Sequence, residues 1–247
     1  MNKYSYSVAS VEKVMRIIEI LAADDQGLKI SQISEKLDSH PSSVDRFLIT
    51  LQNLGYTDKD ASGRYHLTEK IFLLSNLMLV KHPFSHKYLD LMHTFAYKYN
   101  MTTHISVFFG FYNIIIHKET LVQNLDMNYA FFDPKRHHYC SAPGKLLLST
   151  LSEPELKVYF EHAKLIKFNK TTLATEEEIR KELEKIKKVG FSTHNEEFLL
   201  GNFTISFPLW LDGKVKGAFS FMCPISEKAK IYNQKAINDI KTSLYQS

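Results

Sequence analysis

The sequence predicts an α+β chain: a small helical domain with a helix-turn-helix and a β-hairpin, a linker helix, then a larger domain with an antiparallel sheet flanked by helices. Three observations predict it. The chain has 247 residues, 44% of them apolar, enough for two modest cores. Between Ile30 and Leu67 two helical stripes, split by a polar turn, give way to two short β-like runs. Beyond residue 100, β-branched and aromatic runs are interleaved with helical stripes and turn residues.

Met1 to Ser7 reads as a loose arm. Val8 to Ala23 reads as the first helix, with Val11, Val14, Met15, Ile18 and Leu21 at helical spacing and Ser10 as its cap. Asp24 to Gly27 make the turn. Ile30, Ile33 and Leu37 form one face of a short second helix. Asp38, Ser39 and His40 interrupt it, and Pro41 suits the first turn of a third helix, where its missing N–H has no partner to lose. Val44, Leu48 and Leu51 make the next stripe, with Phe47 and Leu54 beside it and Gly55 at the stop. Short helix, three-residue turn and longer helix is the spacing of a helix-turn-helix, whose second helix can enter a DNA major groove. Tyr56 to Asp58 and Arg64 to Leu67 read as the strands of a wing, with the polar turn Lys59 to Gly63 between them.

On the third helix Ser42, Ser43, Asp45 and Arg46 point away from the apolar stripe and are the side chains free to meet DNA. Serine hydroxyls suit phosphates or base edges, and Arg46 can pair bidentately with phosphate or guanine. Asp45 repels phosphate, so it either accepts from a cytosine amino group or orients Arg46. Gln32 is placed to touch the DNA backbone and Arg64, in the wing, a phosphate or the minor groove. For each of these the bland reading is an ordinary solvated face.

Thr68 to Val80 reads as the linker helix. Ile71, Leu74, Leu77 and Met78 recur at helical spacing, with Phe72, Leu73, Leu79 and Val80 on the other sides. A helix so apolar all round needs cover on more than one face, and the expected cover is the other subunit of a dimer. Lys81-His82-Pro83 closes the element. The expected division is 1–68 for the winged helix-turn-helix, 69–84 for the linker and 85–247 for the second domain.

In that domain Ser85 to Tyr99 reads as a helix, Met101 to Phe111 as a strand with Thr103, Ile105, Val107 and Phe109 alternating, Tyr112-Asn113 as a turn and Ile114 to Lys118 as the returning strand. Leu121 to Phe132 is expected to continue the sheet. Ala142-Pro143-Gly144-Lys145 opens an apolar helix whose free N–H groups would welcome an anion. Lys145 reads equally as a ligand cation or as a structural or solvated lysine. Ser152 to Glu155 cap another helix, and Thr175 to Val189 is a third, with acids early and bases late. Ile205, Phe207 and Leu209 alternate, as do Ala218 and Ser220, around an Asp212-Gly213 hairpin turn. Gln234 to Tyr245 reads as a terminal helix.

Ser10-Val11-Glu12-Lys13, Leu28 to Leu37, Ser42 to Leu48, Leu54-Gly55-Tyr56 and Gly63 to Leu67 resemble the amino-terminal domain of the isocitrate lyase regulator (IclR) family. Cys140 to Leu148, Gly190 to Phe198 with Gly201, Thr204 to Leu209, Lys214 to Phe221 and Cys223-Pro224 resemble its ligand-sensing half, so the likeness spans nearly the whole chain. The resemblance implies a bacterial transcription factor: a winged helix bound to double-stranded operator DNA, a GAF-like sensor domain, a homodimer or tetramer, and repression of a catabolic operon relieved or enforced by a small carboxylic or aromatic acid. It places the effector among Ala142, Pro143, Gly144, His194, Thr204, Ser220 and Met222. Several of these depart from the family's habit: His194 stands where an acid is common, Thr204 where cysteine or a small residue is, and Met222 at a serine position. Pro143 removes a main-chain donor, and Lys29 replaces a usual Ser or Thr cap. Nearby Phe203, Phe207, Phe219 and Phe221 suggest a ligand with apolar area and one acidic group, with His194 giving charge or a hydrogen bond. The alternative is a cavity filled by its own side chains.

The net charge of +4 is mild and unevenly spread. Residues 1–80 carry nine Lys or Arg against ten Asp or Glu, and the remainder 22 against 17, so bulk charge does not by itself argue for DNA. Lys29, Arg46, Lys59 and Arg64 are the cations to be grouped in space. No apolar leader opens the sequence and no run approaches a membrane span, which points to a cytoplasmic protein with no membrane partner. Two cysteines, Cys140 and Cys223, are too few for a disulfide scaffold. His137, His138, Cys140 and Cys223 raise a metal site, but His-His-Tyr-Cys is not a usual ligand spacing, so no metal or cofactor is expected. Cys140 activated by a histidine would be the best enzyme case, yet no orienting residue is evident and no activity is expected. The competing class is a partner-binding or metal-sensing protein whose winged helix does not serve a small-acid effector.

Overall fold

The computed structural model describes residues 7–121 and 138–245, and its contacts divide the chain into two units, Met1–Val80 and Lys81–Ser247. In the first unit, α1 (Ala9–Ala22), α2 (Ile30–Leu37) and α3 (Pro41–Asn53) are followed by a hairpin of β1 (Thr57–Lys59) and β2 (Tyr65–Leu67) and by α4 (Lys70–Lys81). Ile17, Leu21, Leu28, Ile33, Leu37, Val44, Leu48, Leu51 and Tyr65 are all buried in one cluster. The stripes read at helical spacing on α2 and α3 are therefore core.

The caps differ from those expected. Val8, not Ser10, stands at the N-cap of α1 and offers no side-chain bond; the Ser7 hydroxyl instead bonds the Glu12 carboxylate. The rest of the expected arm lies outside the described residues. Lys29 cannot accept a hydrogen bond, so the start of α2 relies on the Lys29 amide, which donates to Gln32 Oε1 at 2.9 Å. In the wing, Asp60 Oδ1 accepts from the amide and hydroxyl of Ser62 and from the Arg64 amide. Those donors hold its carboxyl well below the usual carboxylate range, the Arg64 amide contributing most. Leu28 and Tyr65 exchange both main-chain bonds, joining the hairpin to the α1–α2 turn.

In α4 no residue is buried: Phe72, Leu73, Leu77, Met78 and Val80 are each more than half exposed. Its first turn is fastened by Lys70 Nζ, which donates to Leu54 O at 2.5 Å and lies over the Tyr56 ring.

The second unit begins with α5 (Pro83–Tyr99). The proline expected to close the preceding element in fact opens this one. His82 is its N-cap, with Nδ1 accepting from the Phe84 amide at 3.2 Å, so the helix starts at Pro83 and not at Ser85. A five-stranded antiparallel sheet of β3 (Thr102–Phe109), β4 (Tyr112–Glu119), β5 (Ser192–Asn195), β6 (Asn202–Leu211) and β7 (Lys214–Pro224) follows, in the order β4-β3-β7-β6-β5. Phe109 pairs with Tyr112, so the β3–β4 turn is Gly110-Phe111 and not Tyr112-Asn113; Gly110, at φ +56°, supplies the left-handed backbone. The strand expected over Leu121 to Phe132 lies, beyond Leu121, outside the described residues. α6 (Ala142–Ser149), α7 (Glu153–His162), α8 (Glu176–Val189) and α9 (Gln234–Tyr245) complete the unit.

The two faces of this sheet differ in chemistry. One carries Ile105, Phe203, Ile205, Phe207, Phe219 and Phe221 and packs with Phe84, Tyr88, Met92 and Phe95 of α5 and Ile237, Ile240 and Leu244 of α9. The phenylalanines expected beside an effector cavity are thus the core of the opposite face, because their odd-numbered positions all fall in one phase of the pleat. The other face lies toward α6, which contacts β5, β6 and β7.

Candidate nucleic-acid interface and effector site

On α3 the buried residues are Val44, Leu48 and Leu51, so the remaining arc faces out. Ser42 and Arg46 are exposed and Ser43 and Asp45 half-buried. Asp45 makes no ion pair with Arg46 among the described residues, leaving the Arg46 guanidinium unengaged. His40, expected only as a turn residue, caps this helix: its Nδ1 lies 2.9 Å from Ser42 Oγ and 3.4 Å from the Ser42 amide. Two of the expected DNA-facing groups are partly spent inside the fold. Gln32 gives its carbonyl oxygen to the start of α2. Arg64 donates from Nη1 to Gly27 O at 2.9 Å, which ties the wing to the α1–α2 turn.

The second constellation lies on the sheet face toward α6. Strand register sets it out in rows. His194, Thr204, Met222 and Thr102 form one row across β5, β6, β7 and β3; Ser192, Ser206, Ser220 and His104 form the next. All eight are buried or nearly so. Ser192 Oγ donates to Ala142 O at 2.6 Å, bringing the start of α6 onto the second row. His194, Thr204, Ser220, Met222 and the Ala142-Pro143-Gly144 turn therefore stand on one side of the sheet. Thr102, His104, Ser106, Ser192 and Ser206 stand with them and were not anticipated. The signal was available in β3, whose even positions Thr102, His104 and Ser106 are polar where the odd ones were read.

The electrostatics of this face differ from those expected. Lys145 is 1% exposed, and its Nζ reaches Glu197 Oε1 at 2.5 Å and Oε2 at 2.7 Å, with Glu182 at 3.8 Å. Its charge is committed to an internal pair; it is the structural lysine. Burial pushes the Glu197 carboxyl up, against the pull of the Lys145 ammonium. At the start of α6, Pro143 has no N–H and the Gly144 amide is taken by Ser141 Oγ, which removes most of the main-chain donors expected for an anion. His194 Nε2 accepts from the Phe198 and Leu199 amides at 3.0 and 3.3 Å, so its proton resides on Nδ1. Burial, then the nearby Lys145 charge, pushes this imidazole down to about 4. It offers a donor and not a charge. Among the described residues His194 Nδ1, Thr102 Oγ1 and Ser106 Oγ are buried without a hydrogen-bond partner.

A family model described as bacterial transcriptional regulator IclR C-terminal matches residues 77–244, more than half of the chain, and the IclR helix-turn-helix domain matches residues 10–61. The chain belongs to the IclR family. IclR proteins are transcriptional regulators and not enzymes, and the architecture found here, an HTH unit followed by an antiparallel sheet flanked by helices, is theirs. The HTH-type transcriptional regulator KdgR of Escherichia coli is 27% identical over 217 residues, 85% of this chain and 80% of that one. The fold matches an IclR regulator of Silicibacter at TM-score 0.75 and 16% identity, covering 96% of this chain and 92% of the other. It also matches an IclR homologue of Microbacterium hydrocarbonoxydans, solved with 4-hydroxybenzoate, at TM-score 0.67 and 17% identity, covering 96% and 100%. In this IclR chain burial raises the Cys140 thiol to about 12, so it is held as the thiol and not as a nucleophile. Among the described residues no three His, Cys, Asp or Glu side chains are grouped to hold a metal, His137 lying outside them. No helix among them is long and apolar enough to cross a membrane.

Proposed function

We propose that this IclR regulator binds operator DNA as a homodimer or tetramer through α3 and the wing, and that a small organic acid at the polar face of the second unit alters that binding. The observation that carries the reading is the two-sided α3: Val44, Leu48 and Leu51 are sealed in the core while Ser42 and Arg46 stand exposed on the opposite arc. Residues 1–68 serve as the reading head, 69–84 as the linker that pairs subunits, and 85–247 as the sensor. The unburied apolar surface of α4 supports pairing, since a solvated helix of that composition is otherwise unfavourable.

The effector sits between the start of α6 and the rows of His194, Thr204, Met222, Ser220 and their neighbours. Its acid group meets hydroxyls and the His194 Nδ1–H, not a free cation. Binding shifts the two reading heads of a dimer relative to each other and so the half-site spacing they accept.

Footprinting on DNA flanking the gene, with and without candidate acids, tests both halves. The Ser42→Ala/Ser43→Ala/Arg46→Ala protein is expected to lose operator retention while staying folded, and Arg46→Ala alone to lower the salt slope of binding by about one. Undiminished retention by the folded triple variant would refute the reading. Calorimetry with aliphatic and aromatic acids tests the sensor; uniform silence would mean a face filled by its own side chains.

A further inference from the structure

The tip of α3 holds a hydrogen-bond relay that decides what Ser42 can offer. His40 Nδ1 faces two groups at once, Ser42 Oγ at 2.9 Å and the Ser42 amide nitrogen at 3.4 Å. The amide has only a hydrogen to give. The ring nitrogen in front of it must therefore be bare, which places the imidazole proton on Nε2. The same bare nitrogen cannot donate to the hydroxyl, so the contact at 2.9 Å runs the other way: Ser42 Oγ–H donates to His40 Nδ1. Ser42 has then spent its single hydrogen, and its oxygen faces outward with lone pairs alone. Both side chains are exposed, so this oxygen is presented to whatever α3 meets.

We infer that His40 is a positioning residue that makes Ser42 an obligate hydrogen-bond acceptor, so that Ser42 reads an amino group on a base edge, adenine N6 or cytosine N4, and not a phosphate. A phosphate oxygen carries no hydrogen for such an oxygen to accept, and two acceptors face to face repel. In the major groove the exocyclic amino groups are the donors available, and guanine O6 and N7 and thymine O4 are acceptors that this serine would disfavour. The neighbouring His40 Nε2–H is a donor and completes a two-group tip with opposite polarity. The inference rests on the reading of α3 as the helix that meets DNA, and it deepens that reading from contact to base preference.

The test is competition binding to the footprinted operator and to single-base variants across each half-site. Wild type, Ser42→Ala, His40→Ala, His40→Asn and the His40→Ala/Ser42→Ala pair are compared with Arg46→Ala and with the Ser43→Ala/Arg46→Ala pair. Ser42→Ala is expected to lose about fivefold to tenfold of the preference at one base pair that presents an amino group, with little change at the other positions. His40→Ala is expected to relax the same base pair, and the double variant to add nothing to either single change. His40→Asn keeps an acceptor at the cap and is expected to retain the preference, while circular dichroism reports whether α3 stays helical in each. An even loss by Ser42→Ala across all operator variants, with a shallower salt slope, would mean a phosphate contact and overturn the assignment. So would a Ser42-dependent preference that survives His40→Ala. If Arg46→Ala and Ser43→Ala together leave retention intact, the DNA-reading role of α3 itself fails and takes this inference with it; loss there, with an even Ser42→Ala effect, removes this inference alone.

Discussion

At the scale of single residues the second unit depends on buried groups whose charge states are fixed by their neighbours. Lys145 and Glu197 form an internal pair, and Lys145→Met would strand the Glu197 carboxylate. Such a change is expected to cost about 3–5 kcal/mol in urea unfolding, and Lys145→Met/Glu197→Leu to recover most of it. His194, pushed down to about 4, and His104, pushed down to about 3 by burial and by Lys118, are both neutral when folded. Unfolded imidazoles take up protons near their ordinary 6.5, so the unfolded chain gains protons first as pH falls. Stability is therefore fully present above that value and declines as pH drops from it toward 3. Denaturant midpoints at pH 8, 6 and 5 should fall in that order, and the fall should be shallower in His194→Gln. Of these features the sequence made Lys145 visible but not its partner, because Glu197 is 52 residues away and only the fold brings it near. His-Pro was legible twice, at His40-Pro41 and His82-Pro83, yet histidine is not a residue ordinarily sought as an N-cap.

At the scale of elements, α6 has little tolerance. A Cβ on Gly144 would lie 2.4 Å from His138 Cα and 2.5 Å from His138 O, both main-chain atoms. Gly144→Ala must displace backbone and is expected to cost about 1–3 kcal/mol or more, read as a lower melting temperature with early hydrogen exchange in α6. Helix α4 poses the opposite case. Leu73→Glu/Leu77→Glu removes only solvent-facing apolar surface, so monomer stability is expected to hold while sedimentation velocity shifts to the single chain and operator affinity falls. Element by element, the helices with strong periodicity and plain stops were legible: α9 spans Gln234–Tyr245 as expected, and α8 begins one residue after its Thr175 cap. The β3–β4 turn was misplaced by two residues because Tyr112-Asn113 carries turn chemistry while the left-handed position belongs to Gly110. The polar rows were missed on β3 because a strand buried on both faces shows its hydrophobic phase more plainly than its polar one.

At the scale of the whole molecule, the two units answer to different tests. Substitutions on α3 should change where the protein binds, and substitutions on the polar rows should change what it responds to. Ser106→Val is expected to shift effector affinity in calorimetry with operator binding of the unliganded protein unchanged; altered unliganded binding would mean that the rows serve the reading head directly. The sequence carried the order of elements and the family likeness, but it grouped the phenylalanines with His194, Thr204, Ser220 and Met222, from which the sheet separates them, since alternation gives two phases without saying which residues share a face. That segregation has a further consequence. Because the aromatic layer that holds the domain shut shares no side chain with the hydroxyl-bearing layer behind it, the second can be rewritten residue by residue without eroding the first. A regulator so built can change its chemical vocabulary over generations while its skeleton stands still.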